Sequence, residues 1–501
     1  MWKQTAITKT DDSGNSIKST LRSVTDASII RDTKQVQPIA VKKDFYMLGM
    51  DGNLVDLSEF KKVDNADLKL LVEKEALEKT ENTENGVPKY IKHMKKFGMD
   101  WESMSDLGHM RYGPEGTLIF GLVSDYANKL VREIGIPVYN VSGTNMLNLA
   151  EKPVKQQAEL FMDRLYQINV ADKQFILRYA ACQQQFAMIK DWILSHKNLP
   201  FGVFDIADSY RLEQAGELRI GFRLRRMNMP DLHVLAADME DAKKVFLQAH
   251  KKVYSAMHAL GRDYVSLYNT TSKEFLEKEK EFLKELLAVE RKPALVVVYP
   301  PGTDYYWILN IEYHLTDELG RSYELGNVQI DTENAARFNI KYRDANDTEK
   351  YPTILHASPI GTVERYIFTL FDTALKSGEN NAALPTWVSP AQVRLCPITD
   401  RNLIRANAIA DILEVNNIRV EVDDRRLTVQ HKILEAEKHW VPYTIVIGDK
   451  EEQSDNLSVR SRNAMKKCTL EELVKDIQEE IKGMPFRPLP YPRNLAIRPV
   501  F

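Results

Sequence analysis

Five strand-like segments, 202–211, 218–225, 294–299, 305–315 and 323–331, crowd the middle of this 501-residue chain, and neighbours among them are joined by short turns. A parallel sheet needs a crossover of a dozen or more residues between partners, so this spacing predicts an antiparallel sheet. Two charged helical stretches, 238–260 and 273–291, interrupt the series. Helical spacing also marks 117–133, through Leu118, Leu122, Tyr126 and Leu130, and a helical region is predicted over 175–194. A last amphipathic helix opens near Gly361 and carries Val363, Ile367, Leu370 and Phe371 on one side.

After the polar stretch 376–383 the grammar changes. Strands predicted at 393–397, 419–422 and 443–447 alternate with helices at 402–415 and 429–437, and a third helix follows at 470–482. That alternation is the mark of an α/β unit with a mostly parallel sheet. At the other end, residues 1 to about 34 are rich in Ser, Thr and Asp with few large apolar side chains, which predicts a mobile extension. Between them, 44–60 carries a turn signal at Asp51-Gly52 and reads as a hairpin, followed by a charged helix over 66–79 and a polar linker at 80–86.

Composition narrows the class. The chain is 44% hydrophobic and 28% charged, ordinary for globular domains, and no apolar run approaches the ~20 residues of a membrane span. Three cysteines cannot build a disulfide framework, so a reducing cytoplasm is expected. A formal net charge of -3 means that any nucleic acid must be held by a local basic surface rather than by bulk charge. No internal repeat, Walker loop, dinucleotide fingerprint, Gly-x-Ser-x-Gly or His-Glu-x-x-His pattern is present.

The residues that carry chemistry cluster in a few places. Ser209-Tyr210-Arg211-Leu212-Glu213-Gln214-Ala215-Gly216-Glu217-Leu218, running on to Phe222-Arg223-Leu224-Arg225-Arg226, sets arginines and a glutamate around a turn. Such a hairpin can hold a nucleotide, since arginine pairs with phosphate and glutamate accepts from an adenine amino group. On pattern alone, a solvated charged hairpin is the simpler description. Gly361-Thr362-Val363-Glu364-Arg365 opens a helix whose arginine could reach a phosphate, although alone it also describes an ordinary first turn. Cys182, His233 and His356 offer zinc-type donors, but no local spacing ties them together.

Taken in order, these segments resemble a known family. Residues 210–218 together with Asn228-Met229-Pro230-Asp231-Leu232-His233 are similar to the second signature motif of archaeal threonyl-tRNA synthetases, and His356 to Arg365 resembles the third. Pro385-Thr386-Trp387-Val388-Ser389-Pro390-Ala391-Gln392-Val393, Gly448-Asp449-Lys450-Glu451 and Val459-Arg460 resemble the anticodon-binding domain of the same family. The resemblance spans about 44–482 and implies an α+β fold: a class II synthetase antiparallel sheet flanked by helices, plus a C-terminal α/β anticodon-binding domain. The implied boundaries are a mobile extension at 1–43, a hairpin–helix segment at 44–87, a catalytic domain at 88–384 and an anticodon-binding domain at 385–501.

The resemblance also implies roles. Arg211 would hold the α-phosphate of ATP, Glu213 the adenine and Arg365 the γ-phosphate, with Arg223 a further phosphate contact and magnesium bridging phosphates. Cys182, His233 and His356 would bind one zinc per chain, and the metal would take the amino and hydroxyl groups of threonine. Asp231 would accept from the threonine ammonium, Tyr306 or Trp307 would line the pocket, and Gln329 and Thr362 would face the amino acid or the adenylate. Glu451 and Arg460 would read the anticodon. Implied partners are threonine, ATP, tRNA(Thr) and a second copy of the chain, with no membrane and no DNA.

Threonine explains the metal. A packing pocket separates valine from threonine by only about 10–200-fold, whereas a site built to hold the hydroxyl rejects its absence far more strongly; serine keeps that hydroxyl, so editing is needed. Residues 44–60 resemble the segment that follows the editing domain of full-length archaeal relatives, so the chain is expected to lack that domain and to rely on a separate editing protein. The other readings are a class II synthetase for another amino acid such as proline, and a non-catalytic paralogue that binds RNA.

Overall fold

Ten strands pair into one sheet in the computed structural model, which describes residues 43–499 apart from 59–63, 80–87, 162, 163, 301, 304, 377, 380, 381 and 463. The expected extension at 1–43 therefore lies outside the described residues except for Lys43. From one edge the strand order is Leu54–Asp56, Asp44–Leu48, Ala294–Val298, Val265–Thr270, Trp307–Thr316, Ser322–Asp331, Thr353–Ser358, Arg226–Ala236, Phe201–Tyr210 and Val138–Asn140. Only two pairings are parallel, Val265–Thr270 with Ala294–Val298 and Val138–Asn140 with Phe201–Tyr210; the rest are antiparallel, as the short turns predict.

Alternation along the strands sorts the two faces. Leu232, Val234, Leu309, Ile311, Val328 and Ile330 are buried in one core with the helices Pro114–Arg132, Met239–His258 and Val363–Lys376. Each such side chain contributes about 1.5–3 kcal/mol when fully buried, and a slip of one residue would expose the whole row, so the register is firmly set. The residues between them point the other way. Through that register His233 stands opposite His356, His356 opposite Gln329, Gln329 opposite Asn310 and Asn310 opposite Asn269. One continuous polar row therefore crosses five strands.

The far end of this polar face is closed by the helix Ala66–Glu75, which sets Leu68, Leu71 and Val72 against Leu267, Leu295 and Val297. Asn65 caps it by accepting from Leu68 N at 2.9 Å. The hairpin before it, Asp44–Leu48 with Leu54–Asp56, extends the large sheet through Ala294–Val298. The 44–75 segment is thus built into the same layer as the strands that follow.

Three local expectations are corrected. Residues 218–225 are not a strand: apart from a single bridge between Arg219 and Arg223, they loop, with Gly221 at φ +71°. Their apolar alternation is real, but Ile220 and Leu224 reach the core from a turn, and the partner of Phe201–Tyr210 is Arg226–Ala236. Residues 175–194 are not one helix: the strand Lys173–Leu177 comes first and the helix is Cys182–Ile189. The stretch 273–291 is two helices, Lys273–Lys278 and Lys280–Glu290, which meet at Glu279.

The C-terminal unit has five strands in the order Val420–Val422, Val393–Pro397, Tyr443–Ile447, Asn456–Ser461 and Met465–Thr469. The first three are parallel and the last two antiparallel. That final pair escapes a hydropathy reading because only Leu457, Val459 and Cys468 turn into the core. Helices Leu403–Val415, Val429–Lys438 and Leu470–Glu480 match the predicted periodicity. The two units are tied together: Arg487 donates twice to Asp125 at 2.6 and 2.8 Å, and His93 stacks on Trp440 with ring centres 4.6 Å apart.

Within this unit, Glu421 is fully buried between Arg394 (2.6 and 2.9 Å) and Arg498 (2.5 Å). Burial pushes its carboxyl up, but the two guanidiniums outweigh that and hold it at about 2, below its ordinary 4.5. A depressed folded-state value means that the stabilisation is complete above pH 4.5 and is lost as pH falls toward 2. Glu421→Gln, which leaves the buried Arg394 and the half-buried Arg498 without their counter-charge, should cost about 3–5 kcal/mol near neutrality. Denaturation midpoints should show that difference shrinking between about pH 5 and pH 3; an equal loss at both would contradict it.

Candidate active site

Cys182, His233 and His356 meet at one end of the polar row. Cys182 is the first residue of the helix Cys182–Ile189, while His233 and His356 face each other on adjacent strands. Nε2 of His233 lies 3.0 Å from Nδ1 of His356 and 3.2 Å from Sγ of Cys182; Cys182 Sγ lies 3.7 Å from His356 Nδ1. All three residues are buried, and their donor atoms fall within 4.8 Å of one another.

The outer partners fix what these atoms can do. His233 Nδ1 donates to Gln185 Oε1 at 2.8 Å, and His356 Nε2 donates to Asp331 Oδ2 at 2.7 Å. The ring nitrogens left over, His233 Nε2 and His356 Nδ1, both present lone pairs to the cluster. Asp331 is itself held by Asn334 through Nδ2 and backbone N, at 2.7 and 2.9 Å. A carboxylate behind a histidine that orients its other nitrogen is the usual support of a metal ligand.

Burial, then His356, drives His233 well below its ordinary value, so it is neutral. Burial, then Asp231 and Asp331, raises the Cys182 thiol. Acceptors pointed at one another in a buried space call for a cation, and a cation would also reverse the rise of the thiol. Tetrahedral zinc at 2.0–2.1 Å from nitrogen and 2.3 Å from sulfur implies donor separations of about 3.3–3.6 Å. The observed 3.0, 3.2 and 3.7 Å bracket that range, and the donor set suits zinc rather than magnesium or calcium.

Beside the cluster, Tyr306 lays its ring 5.0 Å from that of His356 and donates its hydroxyl to Gln329 Oε1 at 2.8 Å. Trp307 turns away and stacks on Tyr305 at 4.6 Å, with Tyr299 edge-on at 5.7 Å. Of the two aromatic candidates, Tyr306 is therefore the one at the cluster. Asp231 lies two residues before His233 on the same face, and burial, opposed by His356 and Arg211, pushes its carboxyl up to about 6.

The arginines gather further along. Arg211 follows directly on Phe201–Tyr210, and its Nε donates to Tyr179 O at 3.3 Å. Buried Glu213 accepts from Arg223 Nε at 3.1 Å, and Arg223 also reaches Glu217 at 3.4 Å. Arg365 donates to the carbonyls of Phe222 and Glu324, at 3.2 and 3.0 Å, and lies 5.0 Å from the centre of the Phe222 ring. Burial lowers Arg365, Glu324 opposes this, and Arg211 and Arg223 add to it, so the three arginines share one field. Thr362 accepts from Arg365 N at 3.0 Å and so shapes the helix entry.

Glu451 and Arg460 are held by different neighbours. Glu451 accepts from Gly448 N and Ser458 Oγ, each at 3.2 Å, whereas Arg460 pairs with Glu437 at 2.7 Å. A separate concavity of about 290 Å³ opens beyond the carboxyl ends of Val393–Pro397 and Val420–Val422, lined by Thr399, Asp400, Arg425, Arg426 and Lys432. Open α/β sheets bind ligands at such ends.

The comparisons agree with this geometry. The family of the tRNA synthetase class II core domain (G, H, P, S and T) matches residues 166–374, and that of the anticodon binding domain matches 392–480. The threonine–tRNA ligase of Thermofilum pendens is 48% identical over 460 residues, which is 91% of this chain and 75% of the relative. The chain belongs to the threonine–tRNA ligase family. A second family member, from Pyrobaculum arsenaticum, is 48% identical over 462 residues, with the same shares covered. Among solved structures, the RNA binding domain of threonyl-tRNA synthetase from Cryptosporidium parvum Iowa II superposes with a TM-score of 0.67 at 22% identity, covering 77% of this chain and 96% of that one. Prolyl-tRNA synthetase from Cryptosporidium parvum gives 0.60 at 16% identity, with 78% of each chain covered. At these identities the structures speak for the class II fold alone, and the sequence relatives decide the family.

Sequence reasoning missed several residues of this threonine–tRNA ligase site. Gln185, Asp331 and Phe222 have no local signature: Asp331 reads as a turn-forming aspartate, and it does accept from Glu333 N and Asn334 N, each at 2.9 Å. The one available signal was alternation, which puts Gln329 and Asp331 on the face opposite Val328 and Ile330.

Among the described residues, no helix is long and apolar enough to cross a membrane.

Proposed function

We propose that this chain activates threonine with ATP and transfers the threonyl group to tRNA(Thr). The observation that carries the reading is the convergence of Cys182, His233 and His356 at the end of a polar row that continues through Gln329. Zinc held by these three would act as a Lewis acid toward the amino and hydroxyl groups of threonine. Asp231 would accept from the ammonium, Tyr306 would close the pocket beside His356, and Gln329 and Thr362 would face the carboxylate and the adenylate.

In the first step the threonine carboxylate attacks the α-phosphorus of ATP and pyrophosphate leaves; in the second a terminal ribose hydroxyl of the tRNA takes the acyl group and AMP leaves. Arg211 would hold the α-phosphate, Arg365 and Arg223 the outer phosphates, and Glu213 the adenine, and magnesium bound with ATP would neutralise phosphate charge. These groups work by position and charge, which lower the barrier without covalent chemistry from the protein. Residues 88–384 would form the catalytic domain and 385–501 the anticodon-binding domain, where Glu451 and Arg460 would contact the anticodon.

Pyrophosphate exchange with purified, zinc-loaded chain tests the reading. Threonine should support exchange, valine should fail by about 10⁴-fold because it leaves the hydroxyl position empty, and serine should retain measurable activity because it loses only a methyl. Exchange driven by proline and not by threonine would overturn the proposal. Leakage of serine calls for a second hydrolytic site, which we assign to a separate editing protein. We also assign a homodimer, supported by exposed Tyr139 on the edge strand Val138–Asn140 and by fully exposed Ile193.

A further inference from the structure

A cleft of about 900 Å³ separates the layer of the ten-stranded sheet from the C-terminal unit. Lys96, Arg111 and Glu115 stand on one side, Arg394 and Arg426 on the other, and Arg498 comes from the last described segment. Among the described residues, the cations on these walls outnumber the carboxylates. Arg394 is 3% exposed; its Nε and Nη2 reach Glu421, but its Nη1 is buried with no hydrogen-bond partner. Glu421 is also the partner of Arg498, so one carboxylate serves two guanidiniums.

The neighbouring cations add to the surplus. The Lys96 ammonium donates to the carbonyl of Lys438, which carries no formal charge. Burial lowers Lys96, and Lys438 and Arg394 press it further down against the pull of Glu435 and Glu115. Of the other charges around the cleft, Lys95 is paired with Asp100 at 3.1 Å and Arg425 with Asp423 at 2.7 Å, while Arg111 and Arg426 add to the positive side. Glu115 feels Arg394, Arg498 and Lys96 through space, and burial together with Glu421 pushes its carboxyl up to about 7, which weakens its claim on them.

We propose that this cleft binds a phosphate oxyanion, which accepts from Arg394 Nη1 and from the Lys96 ammonium. An anion would satisfy the one orphaned donor and relieve the mutual repulsion of Lys96, Arg394 and Arg498. A guanidinium with one edge already committed to a carboxylate offers its free nitrogen in a fixed direction, the arrangement that favours phosphate. The cleft is larger than a single phosphate needs, so it accommodates a chain of phosphates or a stretch of ribose-phosphate backbone. Both walls contribute, so the bound anion also joins the catalytic layer to the C-terminal unit.

Titration calorimetry on the full, zinc-loaded chain tests this, with the ATP site filled by a non-hydrolysable ATP analogue and threonine. Inorganic tripolyphosphate is the first probe and tRNA(Thr) the second. Lys96→Met should weaken binding by about fivefold and Glu115→Gln should tighten it by about threefold, since each removes one nearby charge of opposite sign. Both variants leave the Arg394–Glu421–Arg498 ion pairs in place, and opposite shifts cannot come from a common folding defect. Such shifts with tripolyphosphate assign the site to free polyphosphate; the same shifts with tRNA alone assign it to the RNA backbone, and either supports the proposal. If neither variant moves either affinity by more than about twofold, there is no oxyanion site here.

Discussion

His356→Ala is expected to strip the zinc and abolish threonine-dependent pyrophosphate exchange while leaving the chain folded. His356 is tied to the cluster on one side and to its support on the other: its Nδ1 faces both His233 and Cys182, and its other nitrogen is anchored on Asp331. Removing it leaves two donors, fewer than the three protein ligands of a catalytic zinc site. Asp331→Asn is the finer probe. It keeps the size of the side chain but no longer offers His356 a carboxylate, and should lower zinc affinity by about 10–100-fold. Metal content by elemental analysis and exchange with threonine should fall together in that order, with His356→Ala the worse. Full activity in metal-free His356→Ala would remove zinc from the proposed function.

Gly361→Ala should unfold or severely destabilise the catalytic layer. Gly361 has φ +64°, and a Cβ there would sit 1.6 Å from the carbonyl oxygen of Leu325 and 2.7 Å from its carbonyl carbon. Leu325 is the extra residue of a β-bulge in Ser322–Asp331, between Glu324 and Gly326, which pair with His314 and Tyr313; its side chain is buried in the core, so its carbonyl has little room to step aside. Gly326 repeats the constraint, since a Cβ there would meet Ser358 O at 2.4 Å. A left-handed backbone costs an alanine roughly 1–2 kcal/mol, and overpacking typically adds about 1–3 kcal/mol. The loss should thus reach about 2–5 kcal/mol, seen as a lowered denaturation midpoint or as insoluble protein. Gly216→Ala is the control: a Cβ there meets nothing within 4 Å, so stability should stay within about 0.5 kcal/mol. Equal stability of the two variants would mean that the helix entry at Gly361 does not pack closely against the strand Ser322–Asp331.

What the residues disclosed by themselves depended on distance along the chain. The strands Val393–Pro397 and Tyr443–Ile447 and the helices Leu403–Val415 and Val429–Lys438 were legible because short-range periodicity sets them and the core confirms it. Residues 218–225 misled because alternation marks only which side chains are buried. A turn through Gly221 buries Ile220 and Leu224 as well as a strand would. The segment 456–469 was missed for the converse reason: its outward residues are polar, so paired strands there leave no apolar period.

The metal cluster lay beyond local pattern altogether. Cys182 and His233 are 51 positions apart, and His233 and His356 are 123 apart. Ordered motifs named the family and so proposed the three together, but no spacing did. Their meeting, and the supporting hydrogen bonds of Gln185 and Asp331, come from the pairing of Arg226–Ala236 with Thr353–Ser358 and of Thr353–Ser358 with Ser322–Asp331. The sequence by itself determined most of the elements, the apolar face of each of those and which family's motifs are present, because these rest on contacts a few residues apart. Only the tertiary structure decided that Tyr306 and not Trp307 attends the cluster, that Asp331 supports His356, and that Arg394 keeps a buried donor free at the cleft between the two units. Those outcomes depend on strand register and on packing between units, where groups remote in sequence must share one small volume.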